Sequence, residues 1–100
     1  MYTVIRTYAG APTLADDLKK RTGDIQKEIG SVKGFAAYYL VKTTDGAASI
    51  TVCEDRGGCK ESSKRAANWL RTNMPNLKMA PPQIKSGEVY IQFASHPAKV

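Results

Sequence analysis

The chain has 100 residues, enough for one domain, and carries a formal net charge of +6. Its 42% hydrophobic and 24% charged residues are ordinary proportions for a globular protein. No apolar run approaches the roughly 20 residues that a membrane span needs, and residues 1–6 do not resemble a signal peptide. Two cysteines, Cys53 and Cys59, are too few for a secreted disulfide scaffold. We therefore expect a cytoplasmic protein with no membrane partner.

The positive charge is spread along the chain and mixed with acidic residues. The basic run at 19–21 directly follows two aspartates, as on a solvated helix face. Residues 33–36, Lys-Gly-Phe-Ala, copy the start of an RNA-recognition signature, but Ala37 and Leu40 stand where stacking aromatic residues are needed. The sequence thus predicts no nucleic-acid partner.

The first predicted elements are a strand and a helix. Residues 2–8 are β-branched and aromatic, which favours a strand. Gly10-Ala11-Pro12 ends it, and Pro12 suits the first turn of a helix. That helix is predicted to run to Lys33-Gly34. Its apolar stripe, at a spacing near 3.6, consists of Leu14, Leu18, Ile25, Ile29 and Val32.

Two strands, over residues 35–42 and 47–54, are predicted to follow as a hairpin. Asp45-Gly46 between them is a typical turn sequence. The strand over 35–42 is apolar on both faces, and such a strand needs cover on both sides. Two helices can cover only one face of the sheet, which leaves the other face open in a monomer. The pattern therefore predicts a homodimer, in which a second copy covers that face.

The remaining elements are a second helix and a last strand. Residues 55–60 are predicted to form a loop, and residues 61–73 a helix with Ala66, Trp69 and Leu70 as its apolar stripe. Alternation predicts the last strand over 88–93. We expect one domain over residues 1–94 and a flexible tail over 95–100.

This order of elements, β-α-β-β-α-β, predicts a ferredoxin-like α+β fold with a four-stranded antiparallel sheet. More specific features are Val32-Lys33-Gly34-Phe35 before an aromatic strand, the Asp45-Gly46 hairpin, and Cys53-Glu54-Asp55 ahead of the helix that carries Trp69. With these, residues 2–93 resemble the dimeric α/β-barrel superfamily, which includes antibiotic-biosynthesis-monooxygenase-like proteins.

The resemblance implies that the sheets of two subunits pair as a barrel, with the helices outside and a small cavity between each sheet and its helices. The superfamily includes cofactor-independent oxygenases of aromatic substrates, haem-degrading enzymes, isomerases and proteins without known activity. The fold alone therefore does not decide the function.

Four residues are candidates for binding a small aromatic ligand. A cofactor-independent oxygenase needs an apolar cavity and groups that stabilise the substrate anion. Arg6 suits the anion partner, Tyr8 and Tyr38 suit hydrogen-bond partners, and Trp69 suits a stacking wall. Arg6 and Tyr8 share one face of their strand because the side-chain period is two. The aromatic residues equally suit ordinary core positions, and the sequence assigns no catalytic residue.

Cysteine and histidine give two further predictions. Cys59 near a helix start, beside Lys60 and not far from Arg56, is a candidate reactive thiol, with an inert buried residue as the alternative. The chain's one histidine, His96, stands in the predicted tail. Without an internal histidine, we expect no metal site and no haem or other cofactor.

Two functions stay open at this stage. One is a cofactor-independent monooxygenase or isomerase acting on a small aromatic or quinol-like molecule. The other is a non-catalytic dimer that binds a small ligand or serves as an accessory domain. A Ser/His/Asp hydrolase and a phosphate-binding loop are both unsupported by the residues present.

Overall fold

A computed structural model describes residues 1–77 and 80–95. It contains three helices and four strands within those ranges. In chain order they are β1 Tyr2–Tyr8, α1 Leu14–Lys19, α2 Thr22–Gly30, β2 Phe35–Lys42, β3 Ala47–Cys53, α3 Arg56–Asn73 and β4 Gln83–Glu88. In this part of the chain, no helix is both long and apolar enough to cross a membrane.

The four strands form one antiparallel sheet in the order β2-β3-β1-β4. In its centre, Tyr2 pairs with Cys53 and Tyr8 with Ala47. The Asp45-Gly46 turn is confirmed: Thr43 N–H donates to the Gly46 carbonyl at 3.1 Å. Only glycine fits at position 46, because a Cβ there would lie 1.9 Å from the Tyr8 carbonyl oxygen. The predicted ferredoxin-like α+β fold is thereby confirmed, with an open sheet.

The helices pack on one face of the sheet, and side-chain alternation sets which residues they cover. On β1, Val4, Arg6 and Tyr8 are buried, whereas Ile5 and Thr7 are exposed on the opposite face. One core cluster gathers where α1 meets the sheet: Tyr8, Ala11, Leu14, Ala15, Leu18 and Ala47. A second joins β1 and β3 to α3: Val4, Val32, Cys53 and Cys59.

The single helix predicted after β1 is wrong, because the structure has two. α1 ends at Lys19, and α2 begins at Thr22. The Thr22 hydroxyl donates to the Lys19 carbonyl at 2.7 Å. Threonine side chains compete with the backbone for such carbonyls, which breaks the helical ladder at this point.

The loop predicted over residues 55–60 is also wrong, because α3 begins at Arg56. Asp55 is its N-cap, and its carboxylate accepts a hydrogen bond from Gly58 N–H at 2.9 Å. Gly57-Gly58 indicated a loop, but Gly58 lies in the first turn of the helix against Cys53. The two elements meet so closely that a Cβ at Gly58 would lie 2.8 Å from the Cys53 Cβ.

The last strand lies earlier than predicted: β4 covers Gln83–Glu88 and not residues 88–93. β4 ends at Glu88 because its pairing strand, β1, begins at Tyr2, the residue that pairs with Glu88. The alternating segment beyond has no strand partner in the described structure, and Phe93 is 90% exposed. The predicted tail, with His96, lies outside the described residues except for Ser95.

Candidate functional site

Arg6 projects from the middle of β1 into the space between the sheet and α3, where it is only 1% exposed. Its guanidinium donates four hydrogen bonds, all to hydroxyl oxygens. The acceptors are Ser63 at 3.2 Å from Nε, Ser49 at 2.9 Å and Thr51 at 3.1 Å from Nη1, and Ser62 at 2.7 Å from Nη2. Two helix residues and two strand residues therefore fix this side chain.

The buried charge of Arg6 has no carboxylate partner among the described residues. The salt bridges found there join Arg21 to Asp24, Lys42 to Asp16 and Arg65 to Glu61, all on other parts of the surface. Burial lowers the pKa of Arg6, but an arginine stays protonated in proteins. A cation held only by neutral oxygens leaves a positive potential in the interior, and this potential favours a nearby anion.

Ser49 lies between this cation and two phenols. Its hydroxyl accepts from Arg6, and the side chains of Tyr8 and Tyr38 lie next to it. Burial raises the pKa of both tyrosines, and the Arg6 charge opposes that rise. Both phenols are thus neutral near pH 7 and can donate a hydrogen bond to an anion.

A groove of about 960 Å³ runs between β2 and the helices α1 and α2. This volume is at the upper end of the range for small-molecule sites. Its apolar wall is formed by Ala15, Leu18, Ile25, Ile29, Phe35 and Leu40, and Tyr38 also lines it. The groove can therefore accept an aromatic molecule of moderate size.

A second, inner cavity of about 40 Å³ lies between the sheet and α3. Tyr8, Tyr38 and Ser49 form its sheet side. Trp69 lies on α3, and the Arg21 guanidinium stacks over its ring at 5.2 Å. The rest of the lining comes from Leu18, Ile25, Glu28, Ile29, Ala66 and Leu70. Tyr38 belongs to both the groove and the inner cavity.

The structure thus brings three of the four candidate ligand-binding residues together. Tyr8, Tyr38 and Trp69 surround the inner cavity, whereas Arg6 lies behind Ser49 and lines neither space. The ligand-binding role of these four residues stays a prediction.

Cys59 lies near the start of α3, as predicted, but its side chain is buried. Cys59 is buried with Cys53, and burial raises the pKa of its thiol instead of lowering it. Burial also raises the pKa of Cys53 to about 11, and the neighbouring Cys59 adds to this rise. Both cysteines are free thiols. A buried, protonated thiol is a poor nucleophile, so the surroundings of Cys59 favour the inert alternative.

The hydroxyl groups that hold Arg6 were not predicted from the sequence. Ser49 and Thr51 occupy alternate positions on β3, and Ser62-Ser63 lie in α3. A polar residue at every second position of a strand normally indicates a solvent-facing side. Here those positions face the helices, because the intervening residues Ile50 and Val52 lie on the open face. Apolar residues at those intervening positions were the available signal.

Comparisons with known proteins identify the fold. Neither the known family models nor the curated proteins give a match to this sequence. Among solved structures, the haem degrader MhuD of Mycobacterium tuberculosis, with two haems in its active site, has a TM-score of 0.68 at 14% identity. That alignment covers 94% of this chain and 100% of MhuD.

Two further solved structures are similar over most of their length. A monooxygenase, ActVA-Orf6 of Streptomyces coelicolor in complex with nanaomycin D, has a TM-score of 0.65 at 18% identity, covering 93% of this chain and 89% of that one. A protein of unknown function from Nitrosomonas europaea has a TM-score of 0.68 at 19% identity, covering 93% and 91%. The resemblance to antibiotic-biosynthesis-monooxygenase-like proteins is confirmed as a shared fold.

Proposed function

We propose that this protein is a cofactor-independent monooxygenase that oxidises a small phenolic or quinol-like molecule. The observation that carries the proposal is the buried Arg6 cation, which has hydroxyl partners only; one of them, Ser49, lines the inner cavity together with Tyr8 and Tyr38. Such a network suits an anion that forms during a reaction, because its donors are in place beforehand.

The chemistry needs no external reductant. A phenol loses its proton, and the electron-rich phenolate reacts with dioxygen at the ring carbon para to its oxygen. At that carbon a C–H bond breaks and a C–O bond forms, giving a quinone. One oxygen atom of dioxygen becomes the new carbonyl, and the other leaves as water with the ring hydrogen and the phenol hydrogen. The substrate supplies all four electrons, and the two tyrosines with Arg6 behind them stabilise the phenolate.

The groove offers the place for this substrate. Its apolar walls accept an aromatic ring, and Tyr38 at its inner end can donate to the phenolate oxygen. The similar fold of a monooxygenase in complex with nanaomycin D supports this class of ligand. Haem, the ligand of MhuD, is less well suited, since the sequence over residues 1–77 and 80–95 contains no histidine that could ligate iron.

A second copy of the chain is proposed to cover the open face of the sheet. Large apolar side chains are exposed there on the two strands that flank β3: Ile5 on β1, and Tyr39 and Val41 on β2. Tyr39 pairs with Ile50, which pairs in turn with Ile5, so these residues form one continuous patch across three strands. A patch of this kind on a sheet commonly marks a protein interface.

The test of the proposed activity is oxygen uptake with a panel of phenols and hydroquinones. We expect uptake with at least one substrate and a loss of roughly 100-fold in kcat/KM for Arg6→Met, because stabilisation of the anion disappears. Trp69→Phe should also lower kcat/KM. Arg71→Met, which removes an exposed arginine of the same helix as Trp69, should leave kcat/KM unchanged.

Two outcomes would contradict the proposal. Full activity in Arg6→Met would remove the role of the buried cation. Saturable binding and thermal stabilisation by panel compounds, without any oxygen uptake, would instead support a non-catalytic ligand-binding domain.

A further inference from the structure

We propose that the inner cavity is a binding site for dioxygen, separate from the groove that takes the organic substrate. This inference rests on the proposed monooxygenase function, which requires both molecules to be present at the same time. The cavity and the groove share four lining residues: Leu18, Ile25, Ile29 and Tyr38. A molecule in the cavity would therefore lie directly beside one in the groove.

Size excludes an aromatic ring from the cavity. A cavity needs roughly 10–15 Å³ to hold one water molecule, and one of about 150 Å³ holds benzene. The inner cavity has about 40 Å³, so it accepts a diatomic molecule and excludes a phenol.

The lining favours an apolar occupant over water. Six of the lining side chains are hydrocarbon or indole in character: Leu18, Ile25, Ile29, Ala66, Trp69 and Leu70. A buried water needs two to four polar partners. The polar residues of the lining, Tyr8, Tyr38, Ser49 and Glu28, contribute only a small part of the cavity surface, which is mostly apolar. An apolar gas loses little on leaving water, so dioxygen fits this lining better than water does.

The position of the phenols completes the assignment. When dioxygen accepts an electron from the phenolate it becomes an anion, and Tyr8, Tyr38 and Ser49 line the wall of the same cavity. The Arg6 charge lies directly behind Ser49, at 2.9 Å from its hydroxyl. The cavity therefore admits the neutral gas and stabilises its reduced form.

Xenon is the direct probe of this site. It is an apolar atom that occupies dry cavities in crystals under gas pressure. We expect one ordered xenon atom in contact with Ala66, Trp69 and Tyr8 in crystals of the wild-type protein. No xenon at this position would overturn the inference, even if oxygen uptake with a phenol were observed.

A matched pair of variants tests the role of the cavity in turnover. Ala66 lines the cavity, and its neighbour Ala67 is exposed on the outer side of α3. Ala66→Val should fill the cavity, raise the KM for dioxygen about 10-fold and leave the KM for the phenol unchanged. Ala67→Val adds the same β-branched side chain to the same helix and should change neither constant.

The outcomes separate this inference from the proposed function. Xenon in the cavity without oxygen uptake on any phenol would leave a gas-binding cavity and reject the monooxygenase, and with it the site's role in turnover. Oxygen uptake with an unchanged KM for dioxygen in a folded Ala66→Val variant would keep the monooxygenase and reject the gas site. If Ala66→Val does not fold, the xenon experiment on the wild-type protein still decides.

Discussion

Arg6 is a buried cation with no carboxylate partner among the described residues, and such a placement costs free energy. Moving a cation out of water is expensive unless an anion compensates it, and apolar residues often replace buried charges without loss of stability. The four hydroxyl partners of Arg6 satisfy its hydrogen bonds but not its charge. This cost is easiest to understand if the charge acts on a molecule bound nearby, as the proposed reaction requires.

The two buried thiols predict how stability depends on pH. Burial raises the pKa of Cys53 from its ordinary value of 9.0 to about 11. Between these two pH values the folded protein holds a proton that the unfolded chain has lost. Stability from Cys53 is therefore complete below about pH 9 and is lost as the pH rises through about 11.

Cys53→Ala should remove this part of the alkaline loss. At roughly 1.4 kcal/mol for each pKa unit, the wild-type free energy of unfolding should fall by about 2–3 kcal/mol more than that of the variant between neutral pH and pH 11. Urea unfolding at several pH values measures the difference. Equal pH dependence in the two proteins would show that the Cys53 thiol titrates as in the unfolded chain.

The start of α3 shows how one element is fixed against another. Asp55 caps the helix, and Gly58 in its first turn lets the helix backbone approach the end of β3. This approach places the α3 residues Ser62, Ser63 and Trp69 over the sheet, where the first two hold Arg6. The contact between Gly58 and Cys53 is therefore a determinant of the candidate site.

Gly58→Ala and Gly57→Ala are a matched pair for this contact. The new methyl group at position 58 would lie 2.8 Å from the Cys53 Cβ, so we expect a loss of about 1–3 kcal/mol in unfolding free energy. At position 57 the nearest atom is an Asp55 carboxylate oxygen at 3.4 Å, and alanine favours the helix. Gly57→Ala should therefore be neutral or slightly stabilising in urea unfolding. Equal losses in both variants would mean that any side chain in this turn disrupts the cap.

The sequence was sufficient for elements whose limits depend on local pattern. The β-branched and aromatic composition of residues 2–8 predicted β1 correctly, and the Asp45-Gly46 turn predicted the hairpin that joins β2 to β3. The sequence did not predict the limits of elements that depend on tertiary contacts. The start of α3 depends on Gly58 meeting Cys53, and the end of β4 depends on where β1 begins. The hydroxyls around Arg6 were missed for the same reason, since only the packing of α3 on β3 brings Ser62 and Ser49 to one guanidinium.

The whole molecule exposes more surface than its mass requires. Its radius of gyration of 13.3 Å is close to the roughly 13 Å of a compact domain of this length. Its accessible surface is nevertheless 6956 Å², against about 5,600 Å² for a monomer of this mass by the usual scaling. The apolar patch on the open face and the exposed segment after β4 both contribute to this surface.

Tyr39→Glu and Ala67→Glu test this assembly with the same change of charge on opposite sides of the molecule. Tyr39 lies in the patch on the open face at 51% exposure, and Ala67 lies on the outer side of α3. Native mass spectrometry at micromolar concentration should give a dimer for the wild type and Ala67→Glu. It should give a monomer for Tyr39→Glu, because a carboxylate buried without a partner strongly opposes association. A monomeric wild type would reject the dimer, and a dimeric Tyr39→Glu would place the interface elsewhere.

Mass carried by the wild-type dimer beyond two chains would identify a bound ligand, and its loss in Arg6→Met would connect that ligand to the buried cation.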